Sequence, residues 1–491
     1  MIFNSYTFFF FLPLVFIGYW LICRPNEMGE RLSVRLRLQN LFVVIVSYIF
    51  YGWWDWRFLI LITITALSSY GCGILLMRTI TVAKQKGIVA FTLVLNLGIL
   101  AVFKYFNFFM DSAAAVFSAL GFTFSAPVMS IILPVGISFY TFQSLSYVID
   151  VYRKQIPATR DVVAFLAFIS FFPQLVAGPI ERATNLLPQF LKKRNFDYSI
   201  AVDGCRQMLW GFFKKMVIAD GCAPLVNNIF LGYESYSGSV LLLGAILFSF
   251  QIYGDFSGYS DIAIGCAKLF GINLQRNFNF PYFSRNIAEF WRRWHISLTT
   301  WFKDYLYIPL GGSRNGKIRT FRNVFIIFLV SGLWHGANWT FIIWGAIHAI
   351  LFIPCLLIGS NRKYDSTKID VGLMPSFFDA WRMIATFLIV SLAWIFFRAP
   401  GIDVAYGYLK GVFSSSLFSL PSLGRSMLPW IVVFGIIEWL CRNKPHVLFF
   451  KDDSGSKKVF LHAFRLALYF VLAILCISSK TTDSEFIYFQ F

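Results

Sequence analysis

The chain of 491 residues is 58% hydrophobic and only 14% charged, with a mean hydropathy of +0.66, whereas soluble domains carry roughly 25% charged residues. That balance excludes a soluble globular enzyme and predicts an all-α, polytopic membrane protein, with length for roughly a dozen spans of about 20 residues. A net charge of +19 would point to nucleic acid in a soluble chain. Here the basic residues fall in short stretches between apolar segments, so positive-inside topology accounts for them and no nucleic-acid partner is expected.

Apolar runs that span or nearly span occupy 5–22, 39–54, 56–77, 88–104, 129–149, 162–179, 205–225, 238–257, 321–333, 338–358, 379–398, 427–441 and 459–478. The first has no basic n-region and no small-residue cleavage site, so it reads as a retained span and not as a signal peptide. Leu133-Pro134-Val135-Gly136 and the stretch from Phe172-Pro173 to Gly178-Pro179 interrupt their runs, because Pro removes a donor and Gly weakens a helix. Irregular backbone at that depth must be buried in protein or line a wet cavity, which predicts re-entrant pieces around a central pore or funnel. Arg24, Arg31, Arg35 and Arg37 in the first loop, and Arg442, Lys444, Lys451, Lys457 and Lys458 before the last run, place both loops in the cytoplasm. The N-terminus and the tail 479–491 then lie outside. The eight cysteines are scattered without CxxC spacing, so neither a disulfide framework nor a metal site is indicated. With no internal repeat and no low-complexity linker, 1–491 reads as one membrane domain.

The segment 271–325 differs from its surroundings. It holds nine basic residues, among them Arg292, Arg293 and Lys303, against Glu289 and Asp304. Phe290, Trp294, Leu298, Trp301, Phe302 and Tyr305 recur at helical spacing, which predicts an amphipathic helix at the cytoplasmic surface or dipping inward. Its cations serve the positive-inside rule and also suit an anionic, phosphate-bearing donor arriving from the cytosol.

Two of the five histidines stand in long apolar stretches, in Phe290-Trp291-Arg292-Arg293-Trp294-His295 and Gly332-Leu333-Trp334-His335-Gly336-Ala337-Asn338-Trp339. A titratable group at membrane depth is costly and so a functional candidate. Gly332 and Gly336 leave space for backbone or substrate beside His335, Trp334 and Trp339 supply aromatic walls, and Asn338 an amide. An imidazole there can take a proton from a hydroxyl or thiol; it can also be a hydrogen-bonded structural group. His295 is an interfacial histidine or a second catalytic one. His348 reads as structural, and His446 and His462 carry no signal. Asp255 and Asp261, six residues apart, do not share a helix face well, so they read as supports that satisfy backbone groups or orient Arg or His partners in a broken helix.

The blocks Leu133 to Tyr140, Phe172 to Pro179, Asp255 to Gly265, Glu289 to Leu310 and Ser331 to Trp339 resemble the membrane-bound O-acyltransferase (MBOAT) family, in its bacterial branch that acetylates alginate, cellulose or peptidoglycan. The resemblance runs over nearly the whole chain. It implies a multi-pass protein of the bacterial plasma membrane with a tunnel joining the two faces, His335 as the catalytic residue and His295 as an assistant on its cytoplasmic side. It also implies acetyl-CoA as the acyl-donor substrate, with no bound cofactor, and a cell-surface polysaccharide as acceptor. The partner it implies is an SGNH-type extracytoplasmic acetyltransferase or single-span protein.

The aromatic end Phe486-Ile487-Tyr488-Phe489-Gln490-Phe491 is either an anchor at the membrane surface or a segment folded back into the outer mouth of the tunnel. A similar tyrosine-containing end occurs in bacterial relatives, which implies Tyr488 as a covalent acyl carrier activated by His335. Two other readings stay open: a transporter or channel with His335 as proton relay, and an acyltransferase using another donor such as D-alanine.

Overall fold

The computed structural model describes residues 1–22, 30–122, 132–176, 178–364, 371–450 and 458–479, together with 127, 129, 368, 369, 486 and 487. Every regular element among the described residues is helical. Six stretches are long and apolar enough to cross a membrane: 33–52, 58–78, 82–119, 238–269, 339–357 and 377–398. Within the single membrane domain read from the sequence, the residues group into two compact units, 1–201 with 266–275, and 202–265 with 276–491.

The first unit holds α1 (Tyr6–Ile22), α2 (Glu30–Gly52), α3 (Phe58–Arg78), α4 (Val82–Leu100), α5 (Phe106–Ala119), α6 (Ile137–Tyr152), α7 (Val162–Ser170), the single turn α8 (Phe172–Leu175) and α9 (Ala183–Phe190). A π-helical turn at Ala101–Tyr105 joins α4 to α5, so the apolar run expected at 88–104 continues well past its end. Both Pro/Gly interruptions are real. Gly136 takes a left-handed conformation (φ 74°) just before α6, and α7 stops at Ser170. The second break is enclosed in protein: Phe171, Phe172 and Leu175 are buried. Side chains meet carbonyls at both breaks, as buried backbone groups require partners. Gln143 Nε2 donates to Phe168 O at 2.6 Å, Gln174 Nε2 donates to the same oxygen at 3.2 Å, and Tyr51 Oη donates to Val135 O at 2.7 Å.

The second unit opens with α10 (Tyr198–Phe212), which runs through a π-helical segment at Phe213–Ala219 into α11 (Asp220–Leu231). It continues with α12 (Gly238–Leu269), α13 (Ile287–Arg293), α14 (Ile296–Phe302), α15 (Lys317–His335), α16 (Trp339–Leu357), α17 (Phe377–Arg398), α18 (Ile402–Val412), α19 (Leu428–Cys441) and α20 (Lys458–Ser478). Two expectations are corrected here. The helix carrying Asp255 and Asp261 is not broken but continuous over 32 residues. Its glycines serve close packing: a Cβ at Gly258 would stand 2.8 Å from Gly211 O, and one at Gly211 would stand 2.7 Å from Gly258 O. Small residues let apolar helices approach backbone to backbone.

The second correction concerns 271–325, which is not one amphipathic interfacial helix. It breaks at Trp294, whose backbone is extended, and His295, which is left-handed (φ 44°, ψ 54°). Phe290, Trp294, Leu298, Trp301 and Phe302 are all buried inside the unit, so their helical spacing reflects core packing and not a lipid-facing stripe.

α15 and α16 form a tight hairpin. A Cβ at Gly332 would overlap the Phe341 carbonyl oxygen, and one at Gly345 the Phe328 carbonyl oxygen. The space seen in the sequence around His335 is therefore filled by backbone, and beside Gly336 by the Phe341 ring. Because a backbone carbonyl cannot step aside as a side chain can, Gly345→Ala is expected to destabilise the protein by about 1–3 kcal/mol. Gly435→Ala in α19, where nothing lies within 4 Å of the new Cβ, should be neutral or slightly stabilising. Thermal unfolding of the detergent-solubilised variants separates the two.

Candidate active site

His295 sits between two short helices in a backbone conformation that disfavours any residue with a Cβ, at a cost of roughly 1–2 kcal/mol. Its neighbours over-determine it. Asn286 caps α13 through Glu289 N at 2.8 Å, Asn279 N donates to Arg293 O at 2.9 Å, and Ile296 N donates to Asn277 O at 2.9 Å. The Asn277 side chain completes the hold, its Oδ1 accepting from Ser297 N at 3.3 Å and Ser297 Oγ at 2.9 Å and lying 3.1 Å from His295 Nδ1. A backbone N–H can only donate, so the atom facing Ser297 is the carboxamide oxygen. His295 Nδ1 must then carry the proton, which leaves Nε2 with its lone pair. Nε2 is buried without a hydrogen-bond partner among the described residues. His295 lies outside the six long apolar helices, and burial pushes its pKa down to about 3, so the imidazole is neutral.

His335 is the last residue of α15. Its ring packs against Trp334 at 5.0 Å, Trp344 at 5.2 Å and Phe397 at 5.3 Å between centroids. The two imidazoles, forty positions apart in sequence, are 6.3 Å apart in space, and both are buried. Trp334 stands beside both, 5.8 Å from the His295 ring.

The remaining site candidates take other places. Asn338 caps α16, accepting from Thr340 N at 3.0 Å and donating to Pro400 O at 3.0 Å, so its amide is committed to backbone. Arg293 is fully buried; it pairs with Glu289 at 3.1 Å and donates to Lys368 O at 2.8 Å. Arg292 donates to the carbonyls of Asn361 and Tyr364. These two cations brace the chain around α13, and of the three proposed for donor binding only Lys303 is exposed. His348 accepts from Trp291 Nε1 at 3.2 Å, the structural role read from the sequence.

Asp255 meets a backbone group, as expected, but the charged partners of Asp255 and Asp261 are lysines, not the Arg or His expected. Lys215 Nζ lies 2.7 Å from Asp255 and 2.9 Å from Asp220, and Lys214 Nζ lies 2.5 Å from Asp261. Lys214, Lys215 and Asn277 were passed over in the sequence. The lysines carried a usable signal, two consecutive ammonium groups inside the apolar run 205–225, whereas Asn277 had none. Lys214, Asp261 and Asn277 share the wall of a polar cavity of about 20 Å³ with Tyr253, Arg276 and Glu438, room for about one water. His446, also in that wall, is paired with Asp203 at 3.0 Å.

Tyr488 lies outside the described residues. The two residues before it are buried, Phe486 at 0% and Ile487 at 3% exposure, which excludes a surface anchor for that part of the tail. Phe486 packs 4.4 Å from Tyr259 and 6.0 Å from Phe256 between ring centroids. Ile487 N donates to Asp255 Oδ2 at 2.6 Å.

Comparison with known proteins meets this geometry with a family. The model of the MBOAT, membrane-bound O-acyltransferase family matches residues 48–394. The chain is 39% identical over 435 residues to the probable alginate O-acetylase AlgI of Pseudomonas aeruginosa, covering 88% of this chain and 79% of that one. It is 35% identical over 453 residues to the peptidoglycan O-acetyltransferase of Helicobacter pylori, covering 87% and 82%. The teichoic acid D-alanyltransferase of Bacillus subtilis is 31% identical over 254 residues, covering 48% and 63%. The chain therefore belongs to the membrane-bound O-acyltransferase family and is a membrane-embedded O-acyltransferase.

Proposed function

We propose that this multi-pass protein of the bacterial plasma membrane moves an acetyl group from cytoplasmic acetyl-CoA through a central tunnel, for O-acetylation of an extracytoplasmic polysaccharide. The observation that carries the reading is the pair of buried imidazoles 6.3 Å apart, in a membrane enzyme whose relatives include an alginate acetylase and a peptidoglycan acetyltransferase over more than four-fifths of this chain. Family membership removes the transporter reading, since a proton relay needs no acyl donor. In this proposal His335 is the base and His295 assists as a neutral hydrogen-bond acceptor.

The acceptor in the first step is Tyr488. Its phenol oxygen attacks the thioester carbonyl carbon of acetyl-CoA while its proton passes to His335. The C–S bond then breaks, the CoA thiolate takes that proton, and the products are acetyl-tyrosine and CoA thiol. An SGNH-type partner protein accepts the acetyl group on its serine, which returns the phenol. A phenol with an ordinary pKa near 10 needs such a base at neutral pH. The polysaccharide is of the alginate, cellulose or peptidoglycan type. D-Alanine is the alternative acyl group, and the teichoic acid D-alanyltransferase matches under half of the chain, so acetyl is the better supported.

With radiolabelled acetyl-CoA, His335→Ala should lower acetyl transfer by about 10²–10⁴-fold, the range of a general acid–base group. Label transfer unchanged in that variant would sink the assignment, and label displaced by activated D-alanine but not by acetyl-CoA would favour the other donor. Tyr488→Phe should leave expression and thermal stability intact yet abolish polymer acetylation, and unchanged acetylation removes the carrier step.

Asn277→Asp tests the neutral His295. A carboxylate against Nδ1–H favours the imidazolium and raises the His295 pKa by roughly 1–3 units. The variant should then lose activity at a higher pH than the parent as the pH falls, with the alkaline side unmoved. An unshifted acid limb would show that His295 protonation does not matter to the rate.

A further inference from the structure

We propose that Asp255, held by Lys215, is a positioning residue that docks Phe486 and Ile487 of the chain's own C-terminal segment inside the second unit, next to the active site. This rests on the reading above in giving the docked tail a use; the docking itself stands on separate contacts. Lys215 Nζ lies 2.7 Å from Asp255 Oδ1, which leaves Oδ2 to be satisfied by another donor. The backbone N–H of Ile487 supplies it at 2.6 Å. A buried carboxylate oxygen is costly to leave unmet, and at Oδ2 the donor is the Ile487 amide.

The ring before that amide reinforces the contact. Phe486 is fully buried and packs on Tyr259 at 4.4 Å. Tyr259 stands four residues beyond Asp255, so the hydrogen bond and the ring contact share one face of α12. Phe486 also meets Phe256 at 6.0 Å, and Phe256 packs edge-on against the His295 ring at 4.7 Å. One aromatic ring therefore separates the docked tail from His295. The depth is equally telling: Asp255 is seventeen positions from the Gly238 end of the 32-residue helix, about 26 Å at 1.5 Å per residue. Phe486 and Ile487 therefore lie against the middle of α12, where no surface anchor would sit.

The test uses the full-length protein in lipid nanodiscs, exposed to a carboxypeptidase and followed by intact mass. Phe486→Ala leaves the Lys215–Asp255 pair untouched, and Asp255→Ala removes the acceptor; both should lose residues 486 and 487 at least about tenfold faster than the parent, the scale of one hydrogen bond to a charged acceptor. Both should also lower kcat for polymer acetylation about tenfold with KM for acetyl-CoA unchanged, while Asp255→Asn, which retains an acceptor, recovers part of both. Loss of 486 and 487 at the parent rate in Phe486→Ala overturns the docking, whether or not Asp255→Ala folds. A Tyr488→Phe protein that keeps both tail protection and full acetylation would instead overturn the carrier step and leave the docking standing.

Discussion

Lys214 and Lys215 are adjacent in sequence and both buried, and the second unit is arranged around the need to partner them. An ammonium group in a low-dielectric interior is tolerated only with a carboxylate beside it. Asp261 answers Lys214, while Asp255 and Asp220 answer Lys215. The two α12 carboxylates are six residues apart, about 9 Å along the axis, and the π-helical segment at Phe213–Ala219 presents both lysines to them. π-Segments of this kind occur often at functional sites. The approach that makes 2.5–2.9 Å contacts possible comes from Gly211 and Gly258, whose missing side chains let the two backbones meet. Charge pairing, glycine packing and the docked tail are thus one arrangement.

Much of this was legible in the sequence, for definite reasons. Composition gives the class, since apolar helices are the economical way to bury so many Phe and Leu side chains. The Pro/Gly interruptions at 133–136 and 172–179 are visible because no uninterrupted helix accommodates them. His295 and His335 stand out because ionisable groups are rare in such stretches. The aspartates were legible in part: their six-residue spacing spoke against a paired role, and in the structure they serve two different lysines, not the Arg or His partners expected. The break expected around them is absent, and the glycines at 254, 258 and 265 mark helix contact instead.

What the sequence did not carry is tertiary in origin. Nothing local to Asn277 announces that its carboxamide will face Ser297 and His295, because the contact closes across some twenty residues that include the whole of α13. The cations at 292 and 293 looked available for an anionic donor, and they are consumed by Glu289 and by backbone carbonyls. A count of charges along a sequence does not reveal which are already spent on partners. Helical spacing has the same limit: the stripe from Phe290 to Tyr305 fits a lipid-facing helix and a buried core equally well, and only the bend at His295 decides between them.

That bend also separates the two histidines more sharply than their sequence contexts do. His335 ends a regular helix and is enclosed by the rings of Trp334, Trp344 and Phe397. His295 pays for its place with a left-handed backbone, and Asn277 fixes which of its nitrogens bears the proton. A residue so constrained is suited to presenting one unchanging lone pair, not to shuttling a proton. The two histidines are therefore held in different ways, His335 by the rings around the end of α15 and His295 by its own backbone and Asn277. Phe486 lies next to this constrained histidine through Phe256, so the described part of the tail rests against the part of the cluster least able to move.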